Sequence, residues 1–187
     1  MDARIGPAII IAAVFVAVVA LMALGWRARR RRQADLPAPV AATSGNAGEE
    51  IASWTGVHYV ATSTTGDALD RIAVGGLGYR GRADVAVHEG GILIAIAGEE
   101  SILIPVAAID AVEEGTATID RAVETGGLSV VRWTLGTTPA GDELPGAKSV
   151  ETALRIVDRD ARADFLRHAR DLVAAPAAPR IESEDQS

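Results

Sequence analysis

The chain has no cysteine. That absence excludes disulfides, a cysteine nucleophile, thiolate metal sites and the lipidated cysteine of a lipoprotein anchor. Lysine is almost missing as well, Lys148 being the only one, so arginine carries nearly all the positive charge. Aromatic residues make up 4% of the sequence, and there are three histidines, His58, His88 and His168. Their separations match no metal-ligand pattern, so no metal is expected. Serine and threonine are scattered without a nucleophile elbow. The acid pairs Glu49/Glu50, Glu99/Glu100 and Glu113/Glu114 read as solvated turn residues. Nothing here assembles an acid, a base and a nucleophile, and the sequence reads as a non-enzyme without a cofactor.

Charge is unevenly spread. The formal net charge is −7 over 187 residues, yet "WRARRRR" packs Arg27, Arg29, Arg30, Arg31 and Arg32 into one run. From Leu36 onward there are 12 basic and 23 acidic side chains, a balance of −11. An acidic domain repels phosphate backbones, so nucleic acid is not an expected partner.

From Ile5 to Trp26 the sequence "IGPAIIIAAVFVAVVALMALGW" carries no charge for twenty-two residues. About 20 helical residues cross a ~30 Å hydrocarbon core, so residues 5–26 read as a transmembrane helix. Pro7 falls in the first turn, where its missing N–H breaks no bond, and Trp26 stands where a ring favours the head-group layer. A cleaved signal would carry its positive charge ahead of the apolar run, whereas here the arginines follow it. The arginine-rich stop at 27–32 sets the topology by the positive-inside rule: amino terminus outside, the rest in the cytoplasm at the inner (plasma) membrane. Contact between those arginines and anionic lipid is a natural accompaniment.

Beyond the stop, residues 33–49 ("QADLPAPVAATSGNAGE") read as a flexible linker, and 175–187 as a disordered acidic tail. Residues 50–174 are dominated by two-residue alternation. "RADVAVHE" aligns Ala83, Val85 and Val87, and "ILIAIAG" aligns Ile92, Ile94 and Ile96 across "GG", a hairpin signal. "ILIPVAAI" places Pro105 at a strand end. "LSVVRWTLG" groups Val131, Trp133 and Leu135, "VETALRIVD" groups Leu154 and Ile156, and "VHYVATS" supplies an earlier strand. The last segment switches period: "RDARADFLRHARDLV" sets Ala161, Phe165, Ala169 and Leu172 at helical spacing behind an Asp158 N-cap. A run of strands closed by one helix predicts a mainly β domain, a small antiparallel barrel plugged by its C-terminal helix.

Gly76, Gly78 and Gly81 in "VGGLGYRGRADVAV" have the Gly-x-Gly-x-x-Gly spacing of a dinucleotide loop. Such a loop needs a strand before it and a helix after it. Here a strand pattern follows, and "GDALDRIAV" ahead of it reads as a turn or a short helical loop. The glycines are therefore expected to serve tight backbone geometry. Tyr79, Arg80 and Arg82 form a basic-aromatic group on an acidic domain, a speculative binding surface.

One span, an arginine stop, "YVATSTTGDALDRIAVGGLGYRGRADVAV" and "GLSVVRWTLG" together resemble the actinobacterial single-span membrane proteins with a bacterial pleckstrin-homology-like (PH-like) domain, often labelled as transporters or export proteins. That resemblance implies a small barrel of two near-orthogonal sheets capped by the carboxy-terminal helix, and brings no catalytic residues. The combined expectation is a membrane-anchored adaptor for a protein partner. The alternatives are a lipid or small-ligand sensor and an accessory subunit of a transport assembly.

Overall fold

The computed structural model describes residues 5–33, 35–115, 117–118, 121–122 and 127–175, with side chains for 10–25, 33, 35–115 and 127–175. The chain forms two compact units, Met1–Asp35 and Leu36–Ser187. In the first, helix α1 runs over Ile5–Arg32 and so continues through the arginine run. Its described apolar side chains, Ile10 to Leu24, are 48–71% exposed and lie on every face of the helix. Among the described residues no helix is long and apolar enough to cross a membrane. The span expected from Ile5 to Trp26 extends past the described side chains at both ends, and the side chains of Trp26, Arg27, Arg29, Arg30, Arg31 and Arg32 lie outside them.

The second unit carries, in order, β1 (Val40–Ala41), α2 (Ser44–Ala47), β2 (Glu50–Thr64), β3 (Asp67–Arg71), β4 (Gly81–His88), β5 (Gly91–Ile96), β6 (Ile102–Pro105), β7 (Ile109–Gly115), β8 (Ala117–Thr118), β9 (Arg121–Ala122), β10 (Leu128–Thr137), β11 (Glu143–Arg155) and α3 (Arg159–Ala174). Nine strands make one sheet in the order β1-β6-β5-β4-β2-β11-β10-β7, with β3 on β2, and every pairing is antiparallel. The hairpin expected at 82–96 is present with Val85 opposite Ile94 and Val87 opposite Ile92, all four buried. "GDALDRIAV" departs from the expected turn or helical loop: Asp67–Arg71 is a strand, because Ser63 and Thr64 of β2 offer it a ladder partner.

The long strand β2 organises the domain. Its first part pairs with β4 from Glu50 to Tyr59, and its last part pairs with β11 from His58 to Thr64. β2 is the strand that both halves share, and it carries an irregularity against β4 between Trp54 and Val57, with Gly56 at φ 67°. One half-sheet, β1-β6-β5-β4, thereby faces the other, β11-β10-β7. A single apolar cluster draws on both: Val85, Ile92 and Ile104 from the first, Val131, Trp133 and Leu154 from the second. Burying period-two stripes from two facing sheets removes the apolar area that drives the fold.

Helix α3 closes this core. Asp158 accepts the Ala161 N–H at 2.8 Å, capping the first turn, and Phe165, Leu166, Ala169 and Leu172 are buried. Phe165 meets the Trp54 ring edge-on at 5.3 Å between centroids.

The segment ahead of β2 is not a free tether. Leu36 packs against the core, Val40 and Ala41 pair with Leu103 and Ile102, the Ala42 N–H reaches Ser101 O, and Ala47 is buried. Two glycines make room for it. A methyl group on Gly136 (φ 96°) would lie 2.4 Å from Pro37 Cγ, and one on Gly75 (φ 54°) 2.3 Å from Pro39 Cδ. Composition misread this stretch because its prolines and alanines have no period of their own. They fit a path that the domain supplies.

Candidate functional site

The glycine segment is pinned from inside. Ile72 and Leu77 are fully buried, and the Leu77 carbonyl accepts the Tyr59 hydroxyl at 2.9 Å. Since a carbonyl can only accept, Tyr59 spends its one proton there, and its oxygen takes the proton of Thr62 Oγ1 at 2.6 Å. Thr62 in turn accepts from Thr152 Oγ1 at 2.8 Å, and Thr152 accepts from Trp133 Nε1–H at 2.9 Å. The buried chain Trp133→Thr152→Thr62→Tyr59→Leu77 thus has one polarity and satisfies every member, tying β10, β11, β2 and the glycine segment together. Burial pushes the Tyr59 phenol well above the ordinary tyrosine range, against the opposing effects of the Thr62 hydrogen bond and the Arg71 charge.

The glycines hold no phosphate-loop geometry. Of Gly76, Gly78 and Gly81 only Gly76 has positive φ, Gly78 lies against Ala73, and β4, not a helix, begins at Gly81. Their task is to bring the Leu77 carbonyl inward and turn the next residues outward. Tyr79 is accordingly 63% exposed, and Arg80 and Arg82 are exposed beside it in sequence. The outward side of β4 also sets Arg82 opposite His58 of β2, which lies opposite Arg155 of β11. Sequence spacing had no means of pairing those three, because strand register decides it.

The far end of the sheet offers a different surface. β7 ends the strand order, with β10 as its neighbour in the sheet, and α3 packs on it where Arg170 Nε donates to Val112 O at 3.0 Å. Glu113 and Glu114 belong to this strand rather than to the loop expected for them, and Glu113 pairs with Arg132 at 3.4 Å. The other sequence candidates are scattered. Glu50 begins β2, Glu99 and Glu100 sit in the turn between β5 and β6, and His88 donates through Nδ1 to Gly48 O at 3.2 Å. His168 Nδ1 lies 3.0 Å from Asp164 O, with its ring against Trp54. Among the described residues no three His, Cys, Asp or Glu side chains gather to hold a metal ion. A cavity of about 240 Å³ lies between Pro39, the Gly75–Gly76 backbone and Glu99 to Ile102.

A bent antiparallel sheet folded on one shared strand and closed by a C-terminal helix defines a PH-like domain. The comparisons give the family: residues 33–170 match the bacterial PH domain-like family, and the chain belongs to it. No curated protein matches. Among solved structures, a chain of the 8S snRNP assembly intermediate aligns at 11% identity over 78% of this chain and 97% of that one, TM-score 0.44. The C-terminal PH domain of human FYVE, RhoGEF and PH domain containing protein 3 aligns at 9% identity over 70% and 96%, TM-score 0.37.

Proposed function

We propose that this chain is a membrane-anchored binding module, with α1 in the bilayer, its amino terminus outside, and the PH-like domain held at the cytoplasmic face as an adaptor for a protein partner. Support for the anchor is the helix exposing Ile, Val, Leu and Phe on every side, which water disfavours and lipid accepts.

The observation that carries the adaptor reading is the edge of β7 beside α3. A strand with one sheet neighbour among the described residues can take an extended partner segment by backbone pairing, and the adjoining helix supplies side-chain contacts. Photo-crosslinking in cells from Glu114 on β7, with Asp142 at the β10–β11 turn as control, tests it. A reproducible protein adduct from Glu114 alone is expected, and none from Glu114 would end the adaptor reading. A second reading, lipid or small-ligand sensing, draws on Tyr79 standing exposed next to Arg80, with Arg82 nearby. A lipid adduct from a probe at Tyr79, without a protein adduct at Glu114, would favour it. Membership of a transport assembly would appear as a membrane-protein adduct at Glu114.

A further inference from the structure

Strand β7 has backbone groups of two kinds, and the register of the sheet sorts them. Opposed residues of an antiparallel pair alternate between exchanging their N–H and C=O groups and turning them away from each other. Thr65 N–H donates to Ser149 O at 3.1 Å, so Ser149 turns its groups towards β2. With unbroken register along β11, Glu151 does the same, and Thr152 between turns towards β10. Thr62, opposite Thr152, agrees: its carbonyl faces away from β11 and accepts the Ile72 N–H at 2.9 Å. Val131, also opposite Thr152, therefore bonds β11, and its neighbours Val130 and Arg132 bond Glu113 and Ala111 of β7. Val112, between those two, turns its N–H and C=O to the edge that has no strand beside it among the described residues, and Glu114 does likewise.

The edge carbonyl of Val112 needs a donor, because Val112 is only 7% exposed and a buried, unpaired carbonyl is costly. Helix α3 supplies it: Arg170 Nε donates to Val112 O at 3.0 Å. Arg167, three residues earlier, is engaged by Asp164 and Asp171 of its own helix. Arg170 makes no ion pair among the described residues and reaches across to the strand instead. Charged side chains laid on an exposed strand are a common way of closing it to another chain. We propose that Arg170 is a latch on the β7 edge: its Nε–H holds the Val112 carbonyl in the free domain, and an extended partner segment gains the edge only by replacing that donor with a backbone N–H of its own. The inference rests on the adaptor reading of β7 and adds how that site is regulated. Pairing can begin at Glu114, whose backbone groups also face the edge, and Arg170 stands against its continuation to Val112. The exchange is guanidinium for peptide N–H, so a segment with proline facing Val112 cannot make it.

A latch and a merely structural contact respond with opposite signs when the arginine is removed. Arg170→Met keeps an apolar stem and deletes the donor, leaving the free domain with an unpaired Val112 carbonyl that an incoming N–H then satisfies. Photo-crosslinking in cells from Glu114 of the full chain should therefore give a protein adduct whose yield rises by up to about tenfold in Arg170→Met. Arg167→Met should leave the yield unchanged. In the wild-type full chain in detergent, the Arg170 Nε–H should exchange with solvent more slowly than that of Arg167. An adduct present in wild type but unchanged or weakened in a folded Arg170→Met overturns the latch and leaves the adaptor reading standing. An Arg170 Nε–H that exchanges as fast as that of Arg167 also overturns the latch, whether or not the variant folds. No Glu114 adduct in either wild type or Arg170→Met ends the adaptor reading, and the latch with it.

Discussion

Helices α1 and α3 are built on opposite plans. In α3 the apolar residues Phe165, Leu166, Ala169 and Leu172 share one buried face, and arginine and aspartate take the rest. In α1, Ile10, Val14, Phe15, Val18, Leu21 and their neighbours are exposed all round, without a polar side. One helix buries its apolar face inside the chain, while the other leaves its apolar side chains exposed. The sharpest way to break this contrast is Phe165→Ala. Removing a fully buried ring that meets Trp54 edge-on should cost the domain about 3–5 kcal/mol, read as a drop in denaturant midpoint at constant slope. A loss under ~1 kcal/mol would mean that α3 is not integral to the core.

The interior separates the domain from α1 in a second way, through its polar chain. Tyr59→Phe leaves the Leu77 carbonyl and the Thr62 hydroxyl without their partner and should cost about 1–3 kcal/mol. The pH dependence has a definite sign. Burial raises the folded-state pKa of Tyr59, so its contribution is fully present below the unfolded value near 10 and is lost as pH rises beyond it, when the unfolded chain ionises and the folded one does not. Unfolding curves at pH ~8 and ~11 should therefore converge between wild type and Tyr59→Phe. An equal gap at both pH values would show that Tyr59 is not shielded from ionisation.

Much of this fold could be read from residues, and what was misread has a common cause. Alternation in 82–96 and 128–137 and the helical spacing of 159–173 are local signals, and the corresponding strands and helix lie where they point. Asp67–Arg71 and Val40–Ala41 have no such signal, and they become strands because β2 and β6 offer them edges. The candidate surface divides the same way. Tyr79, Arg80 and Arg82 stand out by composition alone, whereas His58 and Arg155 join Arg82 only through register, which no spacing along one chain encodes.

The N-cap of α3 allows a finer test. Asp158→Ala removes the acceptor for Ala161 N–H and a negative charge at the positive end of the helix, and should cost about 1 kcal/mol, with Asp158→Asn recovering most of it. If Asn fails to rescue, charge rather than the hydrogen bond holds the first turn.

On the stability of the domain, the smallest effect belongs to α1, and it separates the two helices most cleanly. Phe15→Arg should leave the unfolding of the domain within about ±0.5 kcal/mol of wild type, because the packed unit begins at Leu36. Its effect should appear in membrane retention instead. An arginine at the centre of a spanning helix costs about 2.5–3.5 kcal/mol on insertion scales, so the variant should shift measurably from the membrane fraction to the supernatant. Retention unchanged in Phe15→Arg would remove the anchor, and a destabilised domain would mean that α1 belongs to the folded unit after all.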